Sequence, residues 1–166
     1  MKIIALSDSN GHLRPLHLLR QAYPDADLFL HLGNHGLAPR DTEGYVCVAG
    51  NIEKDDDVYP VYRVMELGSH KAFIAHGNTF FNSNNPDYKA IIDVAKNMGC
   101  DICIFGHARI YLDETVDGIR LLNPGSVFKN RDNTPPCYMV IEIDENGVNA
   151  KRMDYQSLTR GNKDEG

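Results

Sequence analysis

The 166-residue chain has no apolar run approaching the roughly 20 residues needed to cross a bilayer, and no second CxxC pair beside Cys100-Asp-Ile-Cys103. The first absence excludes a helical membrane span. The second leaves a four-thiolate zinc site without half its ligands. Cys100–Phe105 is a short apolar run ending at Gly106, which predicts a buried strand carrying free thiols, with residues three apart on opposite faces. Basic residues are few, 17 against 23 acidic, and scattered without a stripe, for a net charge of −6. That balance argues against nucleic acid as a partner. The N-terminus, Met1-Lys-Ile-Ile-Ala-Leu-Ser-Asp8, meets a carboxylate after four apolar residues and lacks a signal-peptide profile, so a cytoplasmic protein is expected. No internal repeat or linker divides the chain. With 42% hydrophobic residues it is expected to form one globular domain over residues 1–155, with 156–166 a frayed tail.

Periodicity orders the elements. Lys2–Ser7 reads as a buried strand, followed by a helix over about His12–Ala22 with Pro15 in its first turn. Strands over Leu28–Leu32 and Tyr45–Ala49 complete a β-α-β opening that indicates an α/β sheet. Val61–Leu67 and Lys71–Ala75 form a hairpin around Gly68-Ser69-His70. A helix is predicted with Asn85 as N-cap and Pro86 in its first position, its apolar stripe running from Tyr88 to Met98. A strand over Ile102–Phe105 follows, and then a mostly antiparallel end.

Small-plus-polar pairs mark the strand ends: Asp8-Ser-Asn10, Gly33-Asn34, Gly50-Asn51, His76-Gly-Asn78, Gly106-His107-Ala-Arg109 and Asn123-Pro-Gly-Ser126. Ligands of open α/β sheets bind beyond the carboxyl ends of strands. In this order the set resembles the calcineurin-like metallophosphoesterases, and within them the small phosphodiesterases of the YfcE type. The resemblance implies an α/β/β/α sandwich of two mixed β-sheets flanked by helices. It also implies two divalent cations clamping a phosphate ester. Carried over by position, it assigns Asp8, Asn34, Asn51, His76 and His107 as metal ligands. Asn10, Asn51 and Arg109 become phosphate binders, and His107, Arg109 and Asn78 catalytic residues.

Here the chain departs from the pattern. Asn10, Asn34 and Arg109 stand where the family carries metal ligands, and Asn78 where close relatives carry a His. Two dications about 3.5 Å apart repel by roughly 19 kcal/mol at an effective dielectric near 20. A bridging carboxylate offsets part of that, whereas Asn34 offers only a carbonyl dipole. A guanidinium about 4 Å from one cation adds roughly 8 kcal/mol on the same scale, and it has no lone pair with which to ligate. The expectation is a degenerate two-metal site with weak or lost phosphodiesterase activity, retaining the binding of a phosphate ester, nucleotide or other anion, or of a protein partner. The alternative is an active phosphodiesterase with a mononuclear or rearranged site, holding one weakly bound Mn, Ni, Zn or Fe at Asn51, His76 and His107. Those three side chains serve equally as hydrogen-bonding partners in a polar cleft. His12, His17 and His70 read as surface residues, Asp55-Asp-Asp57 as a solvated loop, and His35 as a ligand only if its loop is rearranged.

Overall fold

Side chains alternate along the first strand, Lys2–Leu6 (β1), and that alternation decides how the layers stack. Ile3 and Ala5 face one side and Ile4 and Leu6 the other, all four fully buried. A strand buried on both faces must lie between two layers. In the computed structural model, which describes residues 1–53 and 58–164, these are a second sheet on one side and helices on the other. Along the chain β1 is followed by α1 (Arg14–Ala22), β2 (Leu28–His31), a 3-10 turn (Pro39–Thr42), β3 (Val46–Cys47), β4 (Tyr62–Leu67) and β5 (His70–Ala75). Then come α2 (Lys89–Asn97), β6 (Ile102–Ile104), β7 (Tyr111–Val116), β8 (Ile119–Pro124), β9 (Cys137–Asp144), β10 (Gly147–Asp154) and α3 (Tyr155–Asp164).

The strands described form two sheets, ordered β10-β9-β1-β2-β3 and β4-β5-β6-β8-β7. Both are mixed. β1, β2 and β3 run parallel, with Ile3 opposite Leu28, while β9 is antiparallel to β1. β5, β6 and β8 run parallel, flanked by antiparallel β4 and β7. Ile3, Ala5, Leu30 and Met139 pack against Ile74, Ile102, Ile104 and Leu122 between the sheets. Outside, α2 covers Phe73, Cys103 and Leu121 with Ile91, Ile92 and Ala95. On the other side, α1 places Leu16 and Leu19 over Ile4 and Leu6. The architecture is the expected α/β/β/α sandwich. No helix among the described residues is long and apolar enough to cross a membrane.

Three local expectations need correction. α2 begins at Lys89, after Tyr88, and Asp87 Oδ1 accepts the Lys89 N–H at 3.1 Å. Residues 82–85 instead make a turn, closed by the Asn85 N–H donating to Asn82 O at 3.2 Å. In place of a frayed end, α3 is helical through Asp164, with Tyr155 and Leu158 packed against the α1 side of the sandwich. Cys100 precedes β6, so it joins Cys103 in the α2-facing cluster; both remain free buried thiols. The Asp55–Asp57 run lies outside the described residues.

The parallel strands aim their C-terminal ends at a single edge, and their loops are stitched together there. Asp8 N–H donates to Gly33 O at 3.1 Å, Asn10 N–H to Asn34 O at 3.0 Å, and Gly106 N–H to His76 O at 2.9 Å. Gly33 makes the approach possible. At φ +102° it occupies backbone that side chains avoid, and a Cβ there would lie 2.8 Å from His76 Nδ1 and 2.9 Å from Gly50 N. Gly33→Ala is therefore expected to cost about 2–4 kcal/mol of unfolding free energy in urea titration. Gly118→Ala, at φ +80° with nothing within 4 Å, should cost only about 1 kcal/mol. Equal effects would contradict the close-approach account.

Candidate functional site

Backbone strain gathers at this edge. Of the seven non-glycine residues with left-handed φ among the described residues, five are Asp8, Asn10, Asn34, His107 and Arg109. Each costs about 1 kcal/mol or more and persists only where surrounding structure over-determines it. The Asn123–Ser126 turn supplies much of that bracing. Asn123 Nδ2 donates to Gly106 O at 3.0 Å, and Ser126 Oγ donates to Asp8 O at 3.2 Å. The result is a cleft of about 260 Å³ lined by Asp8, Asn10, Asn34, Asn51, Ile52, Ser83, His107 and Arg109. Of the predicted site residues, His76 and Asn78 stand apart from that lining; His76 is buried behind His107, their rings 5.2 Å apart.

Asn34 occupies the centre. Its Nδ2 donates to Asp8 Oδ1 at 3.1 Å and to Asn51 Oδ1 at 2.9 Å, while its Oδ1 accepts the Ile52 N–H at 3.2 Å. Asp8 as a carboxylate only accepts and the Ile52 N–H only donates, so the amide can point one way. Its two protons thus face the oxygens that would otherwise bind cations. Asp8 Oδ2 is already taken by Ser7 Oγ at 2.6 Å.

The histidines tell a different story. His76 Nδ1 donates to Leu32 O at 2.6 Å, which places the lone pair on Nε2, and Nε2 has no partner among the described residues. A backbone carbonyl fixing one ring nitrogen while the other stays open is how metal-ligating histidines are oriented. The donor set therefore fits two cations poorly, because Asn34 presents N–H groups at the bridge and Arg109 a guanidinium. The donor left open among the described residues is His76 Nε2, with the His107 ring beside it. Among the described residues, no three His, Cys, Asp or Glu side chains converge.

Neither His31 nor His35 lines the cleft. Gly33 N–H donates to His31 Nδ1 at 3.2 Å, so Nε2 carries the proton and Ser9 Oγ accepts it at 2.8 Å. That orientation is wrong for a base activating a serine. His35 Nδ1 accepts the Leu37 N–H, and its Nε2 lies 3.3 Å from buried Glu53. Arg131 is a further site residue, one that the sequence does not mark. Its NH1 donates to Asn84 Oδ1 at 2.5 Å and its NH2 to Ser83 Oγ at 2.9 Å, pinning the 82–85 turn over the cleft, while its N–H bonds Arg109 O at 2.9 Å. No local motif signals a contact made across that many residues.

Burial lowers the His107 pKa to about 4, with His76, Arg131 and Arg109 adding to the effect and Asp8 opposing it. Burial likewise holds His31 well below its ordinary value, helped by His35 and His76, and lowers His35 against the pull of Glu53. Unfolded imidazoles take protons near pH 6.5, so on acidification the unfolded chain binds more protons than the folded one. Stability is then full above that pH and lost as pH falls toward about 4. The urea midpoint should drop steadily across that window, and less steeply in His107→Gln. A flat profile would contradict neutral buried imidazoles.

Residues 1–146 match the Calcineurin-like phosphoesterase superfamily domain. A probable metallophosphoesterase of Mycoplasma pneumoniae is 33% identical over 130 residues, 76% of this chain and 79% of that one. A predicted phosphoesterase of Streptococcus pneumoniae TIGR4 has a TM-score of 0.83 at 28% identity, over 93% of this chain and 90% of that one. The phosphoesterase Yfce from E. coli (TM-score 0.64, 22% identity, 89% and 91% covered) shares the fold. So does Vps29 from Entamoeba histolytica complexed with Zn²⁺ (TM-score 0.70, 21% identity, 93% and 99% covered). Ordered turns, sandwich and matched span agree: the chain belongs to the calcineurin-like phosphoesterase superfamily.

Proposed function

We propose that this chain is a phosphoesterase-fold protein, a single cytoplasmic domain, whose cleft binds a phosphate-bearing anion without a metal pair. The observation that carries this reading is the Asn34 amide, which satisfies Asp8 and Asn51 with protons where a metal bridge requires an anion. Arg109 then acts as the phosphate clamp, a role for which its planar fork is suited. Asn10 and Asn51 supply neutral hydrogen bonds, and His107, kept neutral by burial, accepts or donates one. Asn78 sits outside the cleft lining. The same surface is available to an acidic protein partner.

A second reading rests on His76. Its open, buried Nε2 is costly without a partner, and one Mn²⁺, Ni²⁺, Zn²⁺ or Fe²⁺ held there with His107 and Asn51 would polarise a phosphoryl oxygen. That is the mononuclear phosphodiesterase alternative. In both readings Arg109 holds the anion, so its removal does not separate them. Elemental analysis does.

Two measurements test the proposal. Inorganic phosphate titrated by calorimetry should bind in the presence of EDTA, and Arg109→Gln should weaken it by about 10–100-fold, the loss of charge-assisted hydrogen bonds. Phosphate binding that requires metal, or is indifferent to Arg109, sinks the anion reading. Hydrolysis of bis(p-nitrophenyl) phosphate should not respond to Mn²⁺ in the natural chain, and should appear in the variant Asn10→His, Asn34→Asp, Asn78→His, Arg109→His. Mn²⁺-stimulated hydrolysis by the natural chain, abolished in His76→Ala, would favour the mononuclear alternative.

A further inference from the structure

A second cavity adjoins the anion cleft across the Asp8–His12 loop. It measures about 330 Å³, within the range of small-molecule sites, and Ser9, His12, Arg14, Phe128, Tyr155 and Gln156 contribute to its walls. Phe128 is 51% exposed, unusual for so large an apolar ring, and it stacks on exposed His12 with centroids 4.9 Å apart and planes 28° from parallel. No carboxylate lines this cavity among the described residues, although acidic residues outnumber basic ones in the chain. Arg14 gives it positive charge instead, and Gln156 brings a side-chain amide that can both donate and accept.

The loop that carries Phe128 is tied to the anion cleft at both ends. Ser126 Oγ donates to Asp8 O at 3.2 Å and also accepts the Phe128 N–H at 3.0 Å. Five residues further on, Arg131 N–H donates to Arg109 O at 2.9 Å. On the opposite wall His12 N–H donates to Ser9 O at 3.0 Å, one residue from Asp8. The aromatic pair and the guanidinium of Arg109 are thus borne by directly bonded loops. The two cavities share the Asp8–Asn10 segment as their partition, with Ser9 on one side and Asp8 and Asn10 on the other.

An exposed, pre-stacked aromatic face beside a cation, next to a phosphate clamp, is the arrangement that receives a flat heteroaromatic ring attached to a phosphate. We propose that the Phe128 cavity is the base-binding half of a nucleoside-monophosphate site, whose phosphate half is the Arg109 cleft. This rests on the anion reading above. The base lies against Phe128, and Gln156 meets its polar edge.

Titrations with AMP and with ribose 5-phosphate test it on the full chain, since the two ligands share a phosphate and differ in the base. AMP should bind about tenfold or more tightly than ribose 5-phosphate. Phe128→Ala should erase that difference while leaving ribose 5-phosphate unchanged, and Phe128→Tyr should keep it. Equal affinity of the two ligands for the natural chain, or a preference that survives in Phe128→Ala, overturns the base site and leaves the anion reading standing. Failure of both ligands to bind overturns both.

Discussion

One side-chain amide organises the cleft. The Asn34 NH₂ group bridges Asp8 and Asn51, the two oxygen donors that face each other across the parallel strand ends. A carboxylate at the same place would bring two acceptors toward two acceptors, a repulsive arrangement unless cations lie between them. The amide reverses the sign of that contact. Asp8 gains a hydrogen bond to its charged form, Asn51 a neutral one, and Ile52 N–H closes the third side through Asn34 Oδ1. Every hydrogen-bonding arm of Asn34 that faces the centre is thereby engaged within the protein.

The backbone that holds Asn34 leaves it little freedom. Asn34 is itself left-handed at φ 57°, and Gly50 runs so close that a Cβ there would lie 2.2 Å from Asn34 Oδ1. Gly106 is equally tight against Ser7 Oγ, which donates to Asp8. Core packing sets these approaches: β1 and β2 are fixed in register between a second sheet and α1, so the loops beyond them inherit a position accurate enough for bonds of about 3 Å. The frame is geometrically strict, and the side chains it presents at its centre are an amide and a guanidinium as well as a carboxylate. Burial, with His76 behind it, keeps the His107 imidazole neutral, and Arg131 and Arg109 add to that effect.

Much of this arrangement is legible in the amino-acid sequence. Strand ends are forced to one edge by parallel pairing, so the order of their turns alone places Asp8, Asn34, Asn51 and His107 together. β1 and β6 are readable because short runs buried on both faces carry uninterrupted apolar residues. Contacts between distant loops and the orientation of hydrogen bonds are not readable in this way. Arg131 reaches Ser83 and Asn84 from a loop more than forty residues away in sequence, and nothing in its own neighbourhood marks it. The tautomer of His31, set by the Gly33 N–H and directed at Ser9 Oγ, is likewise visible only in the folded chain. The start of α2 is not readable, because Asn85-Pro86 fits a helix N-terminus and a tight turn equally well, and the tie to Arg131 lies outside the segment. α3 is polar along most of its length, so its packing through Tyr155 and Leu158 left little periodic signal.

The central claim concerns what can stand between Asp8 and Asn51. Anomalous diffraction at a transition-metal edge, from crystals grown with excess Mn²⁺ or Zn²⁺, tests it most directly. The account predicts at most one ordered ion, beside His76 Nε2 and His107, with the Asn34 amide still bonded to Asp8. Two fully occupied peaks about 3.5–4 Å apart, one of them against Asp8, would contradict it and make the chain an ordinary two-metal hydrolase.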